Sequence, residues 1–154
     1  MTGTTDTLSL TFERELPASP EEVWEVYTQR DHIVNWFNIL EPDWYVSIEL
    51  DFRLGGKMVA KWGPNENELF YETQTFREIE APKRIVTDSL GGDPSGQELA
   101  THVEIVFAPT PEGKTLMSVV QTGFPTAEVR DFFATQVWNG ATLRISTYLE
   151  RRAG

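Results

Sequence analysis

The stretch Pro125-Thr-Ala-Glu-Val-Arg-Asp-Phe-Phe-Ala-Thr-Gln-Val-Trp-Asn-Gly-Ala-Thr-Leu-Arg-Ile-Ser-Thr-Tyr-Leu-Glu-Arg151 decides the fold. Apolar residues recur in it at helical spacing: Val129, Phe133, Val137, Trp138, Ala141, Ile145, Tyr148 and Leu149. They form one stripe over about seven turns at ~3.6 residues per turn. Thr126 is placed to cap the start, and Glu128 puts negative charge in the first turn. Arg151 and Arg152 put positive charge at the end, as the helix dipole favours. Gly140 costs roughly 1 kcal/mol against alanine in mid-helix, so a close neighbour is expected against it. Nearly everything upstream reads as strand, which makes the simplest architecture a long C-terminal helix gripped by a curved antiparallel sheet.

The upstream chain carries that pattern in order. Residues 1–7 are small and polar and are expected to fray. Leu8, Leu10 and Phe12 alternate with polar residues, the period of a half-buried strand. Ser19-Pro20-Glu21-Glu22 is a helix start, with Ser19 as N-cap, Pro20 in the first helical position and Glu22 completing a capping box. Val23, Trp24 and Tyr27 form the buried side of that short helix. Asp31 reads as a second cap, before a short helix carrying Ile33, Val34, Trp36 and Phe37.

The period then changes to two. Trp44, Val46, Ile48 and Leu50 share one face of a strand, and Asp51 to Gly56 form a glycine turn. Met58, Ala60 and Trp62 share a face on the next strand, and Phe70, Glu72, Gln74 and Phe76 on a long one from Leu69 to Ile79. A short strand holds Ile85, Val86, Thr87 and Leu90, and Gly91 to Gly96 reads as a flexible loop. Val103, Ile105 and Phe107, then Met117, Val119 and Gln121, alternate on the last two strands. Short loops between successive strands imply an antiparallel meander.

The chain of 154 residues suits a single domain, residues 1–154. It has no cysteine, hence no disulfide or thiolate chemistry, which fits a reducing cytoplasm. The N-terminus shows neither the basic patch nor the apolar run of a signal peptide. No stretch approaches the ~20 apolar residues of a membrane span. Thirteen basic and 24 acidic side chains give a net charge of −11, a field that repels nucleic acid and anionic membranes.

Four phrases together carry a family resemblance: Leu16 to Trp24 followed by Trp36-Phe37, Asp51 to Gly56, Glu78 to Val86, and Val137-Trp138 with the Tyr148-Leu149-Glu150 ending. In this order they resemble the family related to the C-terminal domain of the activator of the 90-kDa heat-shock chaperone ATPase, within the START-like or Bet v 1-like superfamily. The resemblance runs from Leu8 to Leu149. It implies an α+β helix-grip fold: a seven-stranded antiparallel sheet wrapped around the C-terminal helix, two short helices closing one end, and a cavity between sheet and helix. Superfamily members bind lipids, sterols, polyketides and other apolar molecules there, and some catalyse reactions on them. Most relatives have Gly-Trp where this chain has Val137-Trp138, a departure that implies a narrower cavity near that turn.

Strand parity and the helix stripe nominate side chains for a ligand site: Trp36, Phe37, Met58, Trp62, Phe70, Gln74, Phe76, Met117, Gln121, Trp138 and Ile145. Taken one at a time, the apolar members are as well explained by a solid core. Gln74 and Gln121 share the apolar parity, so either each meets a polar partner inside or the register is off by one residue. For Glu72 a solvent position is favoured, because a lone buried carboxylate is expensive. His32 and His102 read as surface residues. No metal motif, nucleophile elbow or phosphate loop is present, so neither a cofactor nor a catalytic residue is assigned. The leading reading is a cytoplasmic binding module for a small apolar or aromatic molecule. An enzyme on the same fold would need a titratable group in the cavity, for which Glu72 is the candidate. A third reading is an interaction protein, as a homodimer or with a chaperone partner, which requires a contiguous exposed apolar patch.

Overall fold

A computed structural model describes residues 7–154. The fraying expected of residues 1–7 therefore falls, except for Thr7, outside the described residues. The elements run β1 (Leu8–Leu16), α1 (Pro20–Thr28), α2 (Arg30–Phe37), β2 (Tyr45–Leu50), β3 (Lys57–Gly63), β4 (Phe70–Glu80), β5 (Arg84–Gly92), β6 (Glu98–Pro109) and β7 (Thr115–Phe124). A C-terminal helix of 27 residues follows. The seven strands form one antiparallel sheet in the order β1-β7-β6-β5-β4-β3-β2. The meander is thus closed by β1 pairing with β7, which leaves β1 and β2 at the edges. The helix-grip architecture implied by the sequence is the observed one. No helix among the described residues is long and apolar enough to cross a membrane.

Register assigns the faces, since residues directly opposite each other share one side. Val46, Ile48 and Leu50 face Trp62, Ala60 and Met58, which face Phe70, Glu72 and Gln74 in turn. Beyond β4 the same side carries Gly91, Ser89 and Thr87, then Thr101, Val103 and Ile105, then Gln121 and Val119, and at the far edge Leu10 and Phe12. This inner face holds most of the core, with Ile48, Ala60, Ile85, Ile105 and Val119 essentially closed to water.

The small elements depart from expectation in instructive ways. Ser19 accepts from Glu22 N at 3.3 Å and so caps α1. The Glu22 carboxylate lies 3.9 Å from the Arg152 guanidinium, so only half of the capping box is made this way. Helix α2 starts at Arg30 with Gln29 as its unbonded N-cap, and Asp31 sits in the first turn rather than capping. Strand β5 continues through Gly91 and Gly92, both paired to β4 and β6, so the expected loop shrinks to the turn that follows. Gly92 has a packing reason to be there: a Cβ would stand 2.1 Å from the Tyr71 ring.

The C-terminal helix is not uniform. Ala127–Phe132 (α3), capped by Thr126 accepting from Val129 N at 3.2 Å, passes into a π-helical turn at Phe133–Trp138 and then α4 (Asn139–Ala153). The wider turn accommodates an extra residue and rotates the following face. The inward positions are consequently Val129 and Phe133, then Trp138, Thr142, Ile145, Ser146 and Leu149. Val137, on the expected stripe, is 37% exposed and narrows nothing inside. The close neighbour expected at Gly140 is absent too, since a Cβ there would first meet Arg144 of the same helix at 3.4 Å.

Candidate ligand site on the inner face of the sheet

A band of polar side chains crosses the apolar inner face. On β4, Glu72 and Gln74 follow each other on the same side, and Gln74 Nε2 donates to Glu72 Oε1 at 2.7 Å. On β5, Ser89 lies opposite Gln74 and donates to Glu72 Oε2 at 3.1 Å. Ser89 is opposite Thr101 of β6, whose Oγ1 accepts from Gln121 Nε2 of β7 at 2.9 Å. Gln121 Oε1 then accepts from the Trp138 indole at 2.8 Å, which ties the band to the C-terminal helix. Alternation puts Glu72, Gln74 and Gln121 on the apolar face, and the structure keeps them there, with Ser89 and Thr101 beside them. Glu72, for which a solvent position was favoured, is thus on the inner face, partly buried and held by two donors.

The two ends of the band differ. At the β7 end, Gln121 is 3% exposed and Trp138 8%, and both are bonded within the protein. At the β4 end, Glu72 forms no ion pair among the described residues. Burial pushes its carboxyl above the ordinary range, against the lowering effect of Gln74 and Ser89. Tyr27 of α1 hangs over this region. Its phenol is pushed strongly upward, first by burial and then by the Glu72 charge. The Thr87 hydroxyl, two residues along β5 from Ser89, is buried with no hydrogen-bond partner among the described residues.

There is room beside Glu72. Its cross-strand neighbours are Ala60 and Gly91, the smallest side chains available. A Cβ built on Gly91 would find one non-adjacent heavy atom within 4 Å, the Tyr71 carbonyl oxygen at 3.8 Å. Aromatic rings frame this space. Trp62 stacks on Phe70 at 6.0 Å between centroids, and Phe37 meets Trp62 edge-on at 5.1 Å. Tyr27 stacks on Trp36 at 6.3 Å, and the Trp36 indole donates to the Val26 carbonyl.

The nominated residues therefore divide in two. Phe37, Met58, Trp62, Phe70 and Gln74 are partly buried and lie toward the β3–β4 side, with Trp36 and Phe76 closing in behind them. Met117, Ile145, Gln121 and Trp138 belong to the tightly closed side, where Met117 and Ile145 are 0% exposed. The sequence list omitted Tyr27, Thr87, Ser89 and Gly91. Tyr27 is legible as an inward helical residue; Ser89 lies within the expected strand with no face assigned to it, and Gly91 is hidden because it reads as the start of a loop.

Elsewhere, His32 is more enclosed than a surface residue. It bonds the Tyr148 hydroxyl at 2.7 Å and Glu25 at 3.3 Å, fastening α2 to both flanking helices. His102 is exposed and bonded to Asp88. Arg144 keeps a buried Nε without a partner among the described residues, and burial lowers its pKa. Two surface hollows, of about 400 Å³ beside the β2–β3 turn and about 260 Å³ between the start of the β1–α1 connection and α4, include none of the nominated side chains.

A curved antiparallel sheet gripping a C-terminal helix, with polar groups set into an aromatic inner face, defines a helix-grip protein. The family model for "Activator of Hsp90 ATPase homolog 1-like protein" matches residues 17–150, and the chain belongs to that family. No curated protein matches significantly. Among solved structures, protein Ms6760 from Mycobacterium smegmatis is similar with a TM-score of 0.74 at 18% identity, covering 96% of this chain and 94% of that one. Mll3558 from Rhizobium loti gives 0.72 at 21% identity, covering 92% and 96%. CalU16 from Micromonospora echinospora gives 0.63 at 15%, covering 92% and 76%. At these identities the likeness concerns the fold.

Proposed function

We propose that the protein binds a small hydrophobic or aromatic molecule between the sheet and the helices, over the inner face of β3, β4 and β5. The observation that carries this reading is the pairing of Glu72 with an unfilled neighbour position at Gly91, under partly buried aromatic rings. A solid core would fill such a position, since interiors pack at crystal-like density. Ligand sites are instead largely apolar with a few placed polar groups. The exposed large apolar side chains among the described residues are Leu40, Tyr45, Leu54, Leu90 and Val120, each on a different segment, and Phe132, Val137 and Leu143 along the C-terminal helix.

The test is a thermal-shift screen against fatty acids, sterols, flavonoids and aromatic polyketides. A ligand at 100 times its Kd adds about 2.7 kcal/mol, a rise of several degrees at roughly 2–4 °C per kcal/mol. Hits are then mapped with methyl-labelled methionine. Met58, opposite Gln74 and partly buried, is expected to shift on binding, while the enclosed Met117 shifts less. A flat screen, or hits that leave Met58 unmoved, would reject the reading.

A further inference from the structure

Glu72 narrows the class of ligand. Each of its oxygens already accepts one hydrogen bond, from Gln74 Nε2 and Ser89 Oγ. Burial holds the carboxyl above its ordinary range and the two donors offset only part of that; an arriving positive charge favours the ionised form, which can only accept. Its cross-strand neighbours on the same face are Ala60 and Gly91. A group that enters there and meets Glu72 must bring a donor. Among the described residues, no lysine, arginine or histidine forms an ion pair with it. A buried carboxylate without a cation is an expensive arrangement, and an arriving positive charge relieves it.

The surroundings fit the same class. Trp62, Phe70, Phe37 and Tyr27 present ring faces and edges around the site, and aromatic faces attract organic cations. The chain as a whole carries a net charge of −11, which draws cations toward any cleft.

We infer that the ligand is an organic amine, bound with its ammonium on the Glu72 carboxylate and its apolar body among the rings of α1, α2, β3 and β4. This rests on the proposed binding function and specifies the chemistry of that site. It also assigns Gly91 a role: any side chain there would occupy the space beside the carboxylate.

Three probes sharing one naphthylmethyl body test it: the amine, the alcohol and the carboxylate. Binding to the full chain is measured by calorimetry and by the Met58 methyl resonance. The wild type is expected to bind the amine at least tenfold more tightly than the other two. Glu72→Gln, which keeps the shape and can still bond Gln74 and Ser89, is expected to reduce amine affinity to that of the alcohol. Gly91→Leu is expected to weaken all three at least tenfold, with thermal unfolding confirming that both variants fold. Equal affinity for the three head groups, or a preference for the carboxylate, overturns the amine assignment and leaves the cavity reading standing if Gly91→Leu blocks binding. No binding by any probe overturns the assignment as well, and the broader screen then shows whether the cavity reading falls with it.

Discussion

Gln121 offers the sharpest test of the polar band, because its two bonds are both buried. Replacing it with leucine leaves the Trp138 indole N–H without its acceptor, in surroundings where Trp138 is 8% exposed. An orphaned buried polar group costs about 1–3 kcal/mol. For a domain of this size, a loss of ~2 kcal/mol lowers Tm by roughly 4–8 °C. Trp138→Phe makes the complementary error and leaves Gln121 Oε1 unpaired, with a similar penalty plus some lost packing. In the double variant the indole N–H and the amide oxygen are removed together, so their mutual orphaning disappears, while Thr101 Oγ1 still lacks its Gln121 donor as it does in the Gln121 single variant. The double variant is therefore expected to lose less than the sum of the singles, by about 1–2 kcal/mol. Urea titrations of the four proteins, checked for equal slopes, give the coupling. Additivity within about 0.5 kcal/mol would refute the bond and the account of the band built on it.

Two further outcomes follow from the other end of the band. Thr87→Val removes an unpartnered buried hydroxyl at nearly constant shape and is expected to raise stability by about 1 kcal/mol, seen as a higher urea midpoint; a lower midpoint would mean that the hydroxyl is bonded. The Glu72 carboxyl is raised by burial, so its contribution to stability is fully present at pH values below the unfolded carboxyl's pKa and is lost as pH rises through the folded pKa. Glu72→Gln should therefore melt higher than wild type near neutral pH, with the gap closing on acidification; a gap that widens toward low pH would contradict the burial of this group.

Much of the fold was readable because its signals are local. Two-residue alternation placed Phe70, Glu72, Gln74 and Phe76 on one face, and the register confirms it. The errors came where tertiary context overrides a local rule. Gly91 and Gly92 look like loop residues, yet pair with β4 and β6 as strand, and at Gly92 the Tyr71 ring leaves no room for a side chain. The π-helical turn left no mark that a periodicity count could register, because the stripe Val129, Phe133, Val137 is a valid α-helical face. Only the sheet beneath, through Gln121 reaching Trp138, shows that the helix must widen to bring the indole inward. For the site, burial cost argued Glu72 out to solvent. That argument weighs a lone carboxylate, whereas Gln74 and Ser89 both donate to it, and the Ser89 donor comes from the neighbouring strand through a register that the sequence alone does not show.

The placement of satisfied and unsatisfied groups gives the band its meaning. Where β7 meets the C-terminal helix, Thr101, Gln121 and Trp138 close a chain in which each bond is internal, and the core around Met117 and Ile145 is shut. Such a network fixes the helix on the sheet and leaves nothing for a ligand. Where β4 and β5 meet beneath α1, the groups are incompletely answered: a carboxylate without a cation and a threonine hydroxyl without a partner. Stability is forgone there, and a protein under no functional demand could recover it with a glutamine and a valine. Sites that retain such a penalty beside open space are those at which binding returns it. The same inner face thus divides its polar residues into a half that holds the helix and a half that, in the proposed function, meets a ligand's donor.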